Sequence, residues 1–315
     1  MKEAILYSVV VPVYNEEEVL TQTYERLTSV LTKLEGDYEL IFVNDGSRDK
    51  TISILQHLQF QDSHVKYLDF SRNFGHQVAI TAGVDYAQGE AIIVIDADLQ
   101  DPPELILEMV EKWQEGYQVV YAQRLKRKGE TFFKKWSAKM FYRTLHKLTE
   151  VDIPMDTGDF RLMDRKVCQE LRKLNEKNPF VRGLVSWVGF KQYALQYERD
   201  ERAAGETKYP LKKMLKLSLD GITSFSYQPL RLASFAGIGL SIIGFCYMIV
   251  VICQALFTTT VVSGWSSMIV LQLLFSGIVL IILGMTGEYI GRIYDEVKNR
   301  PLYIVEEARG FDKIK

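Results

Sequence analysis

Two aspartates at i and i+2, Asp96 and Asp98, follow directly on the apolar run 91–95 and precede Leu99-Gln100-Asp101-Pro102-Pro103-Glu104. Carboxylates at the end of a buried strand can hold a hard divalent cation, Mg²⁺ or Mn²⁺, against a diphosphate. Such a cation neutralises charge on a departing nucleotide. The same pair could instead be solvated turn aspartates, with Asp101 as a helix N-cap. Two other apolar runs end in polar groups, Tyr14-Asn15-Glu16 and Asn44-Asp45-Gly46-Ser47. Asp45 could bind a ligand, with Gly46 letting backbone approach it closely, or could be only a turn residue. Arg124, Arg127, Lys128, Lys134 and Lys135 form a basic stretch, suited to phosphate oxygens if it is more than a solvated face. The four histidines, His57, His64, His76 and His146, show no metal-ligand spacing, and a hydrogen-bonded structural role is expected for His76.

These residues need a scaffold, and the hydrophobic pattern supplies one. Short β-branched runs at 8–13, 39–43, 65–70, 91–95 and 119–122 alternate with helical patterns at 17–34, 51–58, 75–87 and 103–115. Continuous apolar strands alternating with helices predict an α/β fold with a mainly parallel sheet covered on both faces. Ligands of such sheets collect beyond the carboxyl ends of the strands, where the polar clusters fall. The apolar N-terminal run 4–14 lacks a basic leader and a small-residue cleavage site, so it reads as a buried strand.

The second half changes character. In 209–230, Lys212, Lys213 and Lys216 are interleaved with Leu211, Met214, Leu215, Leu217 and Leu219. This pattern predicts an amphipathic helix on an anionic membrane surface, or else an ordinary solvated helix. The uncharged stretches 234–257 and 265–287 are each long enough, at about 1.5 Å per residue, to cross a hydrocarbon core of about 30 Å. Arg231 precedes the first, and Arg292, Lys298 and Arg300 follow the second, which puts both flanks in the cytoplasm. Four regions are expected: a cytoplasmic domain 1–208, a juxtamembrane amphipathic region 209–231, two transmembrane helices within 232–290 and a cytoplasmic tail 291–315.

A formal charge of −2 across 315 residues gives no net pull toward nucleic acid. Cys168, Cys246 and Cys253 form no CxxC pair, which argues against a disulfide framework or zinc site. The first strand-to-helix turn contains no glycine, which excludes a dinucleotide-binding fingerprint.

Six segments together resemble the family 2 glycosyltransferases of the GT-A fold, and within them the polyprenyl-phosphate glycosyltransferases typified by dolichol-phosphate mannose synthase and bactoprenol glucosyltransferases. They are Val11-Pro12-Val13-Tyr14-Asn15-Glu16, Val43-Asn44-Asp45-Gly46-Ser47, Ser71-Arg72-Asn73-Phe74-Gly75-His76, the 96–104 run, Thr157-Gly158-Asp159-Phe160-Arg161 and Gly205-Glu206-Thr207-Lys208-Tyr209. They occur in order over nearly the whole chain. The resemblance implies that Pro12, Tyr14, Glu16 and Asp45 line a nucleotide pocket. Asp96 and Asp98 would hold Mg²⁺ or Mn²⁺, with Gln100 beside the diphosphate. Arg124 and Lys135 would embrace phosphates, and Lys208 would stand where a lipid phosphate enters.

The resemblance also puts Asp159 near the reacting centre, a place often given to a general base. An acceptor phosphate with a second pKa of about 6 is already a nucleophile at neutral pH. Asp159 is therefore expected to orient the acceptor, through Arg161 or another cation, or else only to close the turn after Gly158.

The activity implied is metal-dependent, inverting transfer of a hexose to undecaprenyl phosphate or another polyisoprenyl phosphate at the cytoplasmic face of the inner membrane, by a homo-oligomer. UDP-glucose is the first expected donor, then UDP-N-acetylglucosamine, then GDP-mannose. A processive polysaccharide synthase would carry a QxxRW motif and more spans. A non-catalytic partner of a flippase would have no need of Asp96, Asp98, Asp159 and Lys208 together.

Overall fold

The computed structural model describes residues 5–125, 154, 157–174, 176–197 and 264–311, with single positions between 230 and 253. The chain divides into two compact units, one of 1–147, 151–221 and 301–315, the other of 148–150 and 222–300.

The first unit is built on one eight-stranded sheet. Its strands are β1 (Ile5–Val13), β2 (Asp37–Asn44), β3 (Val65–Phe70), β4 (Ala91–Val94), β5 (Val119–Arg124), β6 (Thr157–Asp164), β7 (Gln192–Tyr197) and β8 (Val305–Arg309). They lie in the order β7-β5-β6-β4-β1-β2-β3-β8. The β4-β1-β2-β3 core is parallel, as the apolar runs predict. β6 enters antiparallel between β4 and β5 and thereby places 157–161 beside the end of β4.

Alternate residues of each core strand feed opposite faces. Val9, Val11, Leu40, Phe42 and Ile93 pack with Leu20 and Leu27 of α1 (Leu20–Leu31), Leu55 of α2 (Thr51–Gln61) and Met109 of α4 (Leu105–Gln114). Val10, Ile41, Val43, Ile92 and Val94 pack with Ala79 and Ile80 of α3 (His76–Tyr86), Val167 of α5 (Arg165–Leu171) and Val185 of α6 (Val181–Trp187). Burying a strand on both faces removes the need for polar alternation, so the strands read as unbroken apolar runs.

The segment expected as a cytoplasmic tail contributes to this sheet. β8 pairs antiparallel with β3, and Tyr303 stacks on Phe70 at 5.3 Å while its hydroxyl donates to Asp85 at 3.0 Å. Charged Glu306, Glu307 and Arg309 gave it no strand signature; backbone pairing with an open edge does not require one.

In the second unit α7 (Trp265–Lys298) runs for 34 residues and passes the end of the expected stretch 265–287. Among the described residues it is the one helix long and apolar enough to cross a membrane, over Phe275–Val297. Val279, Leu280, Ile281 and Leu283 on it are exposed. The first expected span, 234–257, lies mostly outside the described residues, as do Lys212, Lys213 and Lys216.

Candidate active site

The carboxyl ends of β1 and β2 are joined into one rim. After Val13 the chain turns at Asn15, with φ 52°. The Asn15 amide donates to Ser47 Oγ at 2.9 Å, the Arg48 amide to Asn15 Oδ1 at 2.8 Å, and the Glu16 amide to Thr51 Oγ1 at 3.0 Å. Pro12 is buried in β1 below the rim, Glu16 is half-buried and the Tyr14 ring is exposed.

Asp45 is 3% exposed and accepts from the amides of Phe74, at 2.6 Å, and Gly75, at 3.0 Å. Burial raises its pKa against the pull of those amides. A Cβ on Gly46, where φ is 65°, would lie 2.5 Å from the Arg72 carbonyl carbon. The Gly46 turn thus packs closely on the 72–75 loop at the start of α3.

That loop delivers His76 to the acids after β4. His76 Nε2 lies 3.3 Å from Asp96 Oδ1 and 3.2 Å from Asp159 Oδ2. Ligand atoms of His76, Asp96 and Asp159 all lie within 4.8 Å of one another. Among the described residues Asp96 Oδ1 is buried with no hydrogen-bond partner, because the His76 contact is not directed along a hydrogen bond. Asp98 Oδ1 accepts from the Gln100 amide at 3.2 Å across Leu99, whose φ is 55°. Gln100 Oε1 is also buried and has no partner among the described residues. Asp101, 1% exposed, accepts from the Tyr197 hydroxyl and from Arg124 Nη2 at 3.5 Å.

Charge accumulates here. Burial, reinforced by Asp159, Asp101 and Asp98 against the pull of His76, pushes the Asp96 carboxyl up to about 6. Burial disfavours a charged His76, but its hydrogen bond to Asp159 and the charges of Asp96 and Asp159 outweigh this and raise it to about 9. A His76 raised in this way turns positive charge toward Asp96 and Asp159. The orphaned Asp96 and Gln100 oxygens and the excess of carboxylates fit a hard, oxygen-seeking cation such as Mg²⁺ or Mn²⁺.

Asp159 is 4% exposed and fully engaged. Arg182 grips it with Nε on Oδ1 at 2.8 Å and Nη2 on Oδ2 at 3.0 Å, and donates from Nη1 to the Thr157 carbonyl at 3.0 Å. Gln77 Nε2 adds a bond at 3.2 Å, while Gln77 Oε1 accepts from the Val181 amide at 3.1 Å. Burial opposes ionisation of Asp159, yet Arg182 and His76 hold its carboxyl well below the usual range. Arg161 donates to the carbonyls of Gly158, at 3.0 Å, and Asp159, at 3.3 Å. It is therefore Arg182, on α6, that grips the carboxylate.

The structure brings together Asp96, Asp98, Gln100, Arg124 and Asp159 of the expected set. Lys135 and Lys208 lie outside the described residues. Sequence reasoning missed Arg182, Gln77 and Tyr197 and assigned His76 no chemistry. His76 closes a recognisable segment, but nothing local to Arg182 or Tyr197 marks either.

The glycosyl transferase family 2 profile matches residues 8–172. An uncharacterized glycosyltransferase of Bacillus subtilis is 69% identical over 312 residues, covering 99% of this chain and 97% of its own length. A prophage-derived bactoprenol glucosyl transferase of Shigella flexneri is 42% identical over 301 residues, 96% of this chain and 97% of its own. Likeness to solved structures is looser. Glucosyl-3-phosphoglycerate synthase of Mycobacterium tuberculosis, with Mn²⁺, UDP and glucosyl-3-phosphoglycerate, is 17% identical with a TM-score of 0.44, over 70% of this chain and 78% of that one.

Proposed function

The chain belongs to glycosyl transferase family 2, and from that premise we propose that it moves glucose from UDP-glucose to a polyisoprenyl phosphate, undecaprenyl phosphate first, at the cytoplasmic face of a membrane. One observation carries the acceptor and the sugar: bactoprenol glucosyl transferases match 96% of this chain at 42% identity. The exposed apolar surface of α7 supports a membrane setting.

An acceptor phosphate oxygen attacks the anomeric carbon as the bond from that carbon to the UDP oxygen breaks. One in-line displacement inverts configuration and releases UDP. Asp96 and Asp98, with Gln100 beside them, would hold Mg²⁺ or Mn²⁺, which supplies charge neutralisation on the diphosphate. Arg124 offers a cation to substrate phosphate. Pro12, Tyr14, Glu16 and Asp45, at the carboxyl ends of β1 and β2, would line the nucleotide pocket. Asp159 is not needed as a base, because the acceptor phosphate is already ionised at neutral pH and Arg182, His76 and Gln77 occupy both carboxylate oxygens. It fixes Arg182 and His76 around the reaction centre.

The test is to incubate the purified full-length protein with undecaprenyl phosphate, Mg²⁺ or Mn²⁺, and UDP-glucose, UDP-N-acetylglucosamine or GDP-mannose in turn, and to analyse the lipid by mass spectrometry. Glucosyl-phosphoryl-undecaprenol is expected. A product only with another donor corrects the sugar, and no glycolipid with any donor overturns the reading.

A further inference from the structure

Arg124 and Tyr197 end two neighbouring strands and are direct partners in the parallel β5–β7 register. That pairing sets a guanidinium and a phenol side by side. Arg124 Nε donates to the Tyr197 hydroxyl at 3.1 Å, and the same hydroxyl spends its single proton on Asp101 Oδ1. Arg124 Nη2 reaches the other oxygen of Asp101 at 3.5 Å, closing a ring of three side chains. Tyr197 is 5% exposed and Asp101 1%, and only 14% of the Arg124 side chain is exposed. Above the ring lies Gly158, where a Cβ would come within 2.8 Å of Arg124 Nη2. A side chain at 158 would displace the guanidinium from its place beside Asp101 and Tyr197.

Arginine offers five N–H donors in a rigid plane. The ring uses the Nε–Nη2 edge, and among the described residues Nη1 donates to no partner. The Nη1–Nη2 edge is the fork that matches two phosphate oxygens. An untethered arginine would have to be immobilised on each binding event, at a cost in rotamer entropy.

We propose that Tyr197 is a positioning residue. With Asp101 it clamps one edge of Arg124, so that the other edge is presented, already oriented, to a substrate phosphate. This rests on the reading of Arg124 as a phosphate ligand and adds the device that holds it. The phosphate is either the diphosphate of the donor or the monoester of the acceptor, and the two are separable.

The test uses full-length wild type, Tyr197→Phe, Arg124→Lys and the double variant, kept below their melting temperatures. Affinities for UDP with Mn²⁺ and for a short-chain polyprenyl phosphate are measured by calorimetry, which requires no turnover. Tyr197→Phe should weaken one of the two ligands by about ten-fold, in line with the loss of preorganisation, and leave the other within about two-fold. The ligand that weakens identifies the phosphate. Arg124→Lys should weaken that same ligand at least as much, and the double variant no more than Arg124→Lys alone.

Unchanged affinities in Tyr197→Phe overturn the proposal. So do losses that multiply in the double variant, because Tyr197 would then act other than through Arg124. If Arg124→Lys binds both ligands normally, the phosphate reading of Arg124 itself is wrong. Should Tyr197→Phe not stay folded, Asp101→Asn loosens the same clamp, and the same non-additivity with Arg124→Lys is required.

Discussion

Replacing Arg182 by Met removes two charge-assisted bonds to Asp159, at 2.8 and 3.0 Å, and one to the Thr157 carbonyl at 3.0 Å. Taking one partner from a buried ion pair costs about 3–5 kcal/mol, because the surviving charge is left uncompensated. Two features place this pair at the low end. Arg182 is one-quarter exposed, so part of its charge is already screened, and His76 and Gln77 still donate to Asp159 Oδ2 in the variant. A loss of about 3 kcal/mol, at roughly 2–4 °C per kcal/mol for a domain of this size, lowers Tm by about 6–12 °C. Arg182→Met combined with Asp159→Asn removes the orphaned charge together with its partner, so the double variant should be more stable than the two single losses predict. Thermal unfolding of the four proteins, without nucleotide or metal, measures this coupling. A Tm fall below about 2 °C in Arg182→Met, or strictly additive losses, would refute the Arg182 grip on Asp159. The same grip predicts that the acid limb of kcat/KM follows the acceptor phosphate, near its second pKa of about 6, and persists in Asp159→Asn. A limb that ignores a phosphonate acceptor's altered pKa and vanishes in that variant would make Asp159 the base.

Asp98→Asn should fold with an unchanged Tm and lose turnover by at least about 100-fold, read with Mg²⁺ and with Mn²⁺; activity in chelator would rule out the metal role. His76 is raised to about 9 from an unfolded value near 6.5, so its contribution to stability is complete below about pH 6.5 and lost as pH rises through 9. In chelator, wild-type Tm should therefore decline across that window, and His76→Gln should flatten the decline; an identical slope in the variant would count against the His76–Asp159 contact. Replacing Lys212, Lys213 and Lys216 with Glu should depress activity on anionic vesicles far more than in neutral detergent, since each cation near such a surface is worth about 1 kcal/mol; equal activity in both settings would argue for an ordinary solvated helix.

The parallel core, its two-sided burial and the acids after β4 were legible because each rests on short-range pattern. Unbroken apolar runs alternating with helices specify buried parallel strands, and the 96–104 run follows one of them directly. What was not legible depends on contacts between distant parts of the chain. Asp159 lies 83 residues from His76 and 23 from Arg182, and they meet because β6 enters antiparallel beside β4 while α3 and α6 pack on the same face. Nothing around Asp101 announces Tyr197, which β7 brings to it from 96 residues away. That the 72–75 loop folds over and presents two amides to the Asp45 carboxylate is likewise not readable from the residues around Asp45. Charged β8 becomes a strand only on the edge offered by β3. A local sequence sets which groups are available at a strand end, but which charge pairs with which is decided by strand order, because Coulombic and hydrogen-bond energies depend on distances that only the assembled sheet defines.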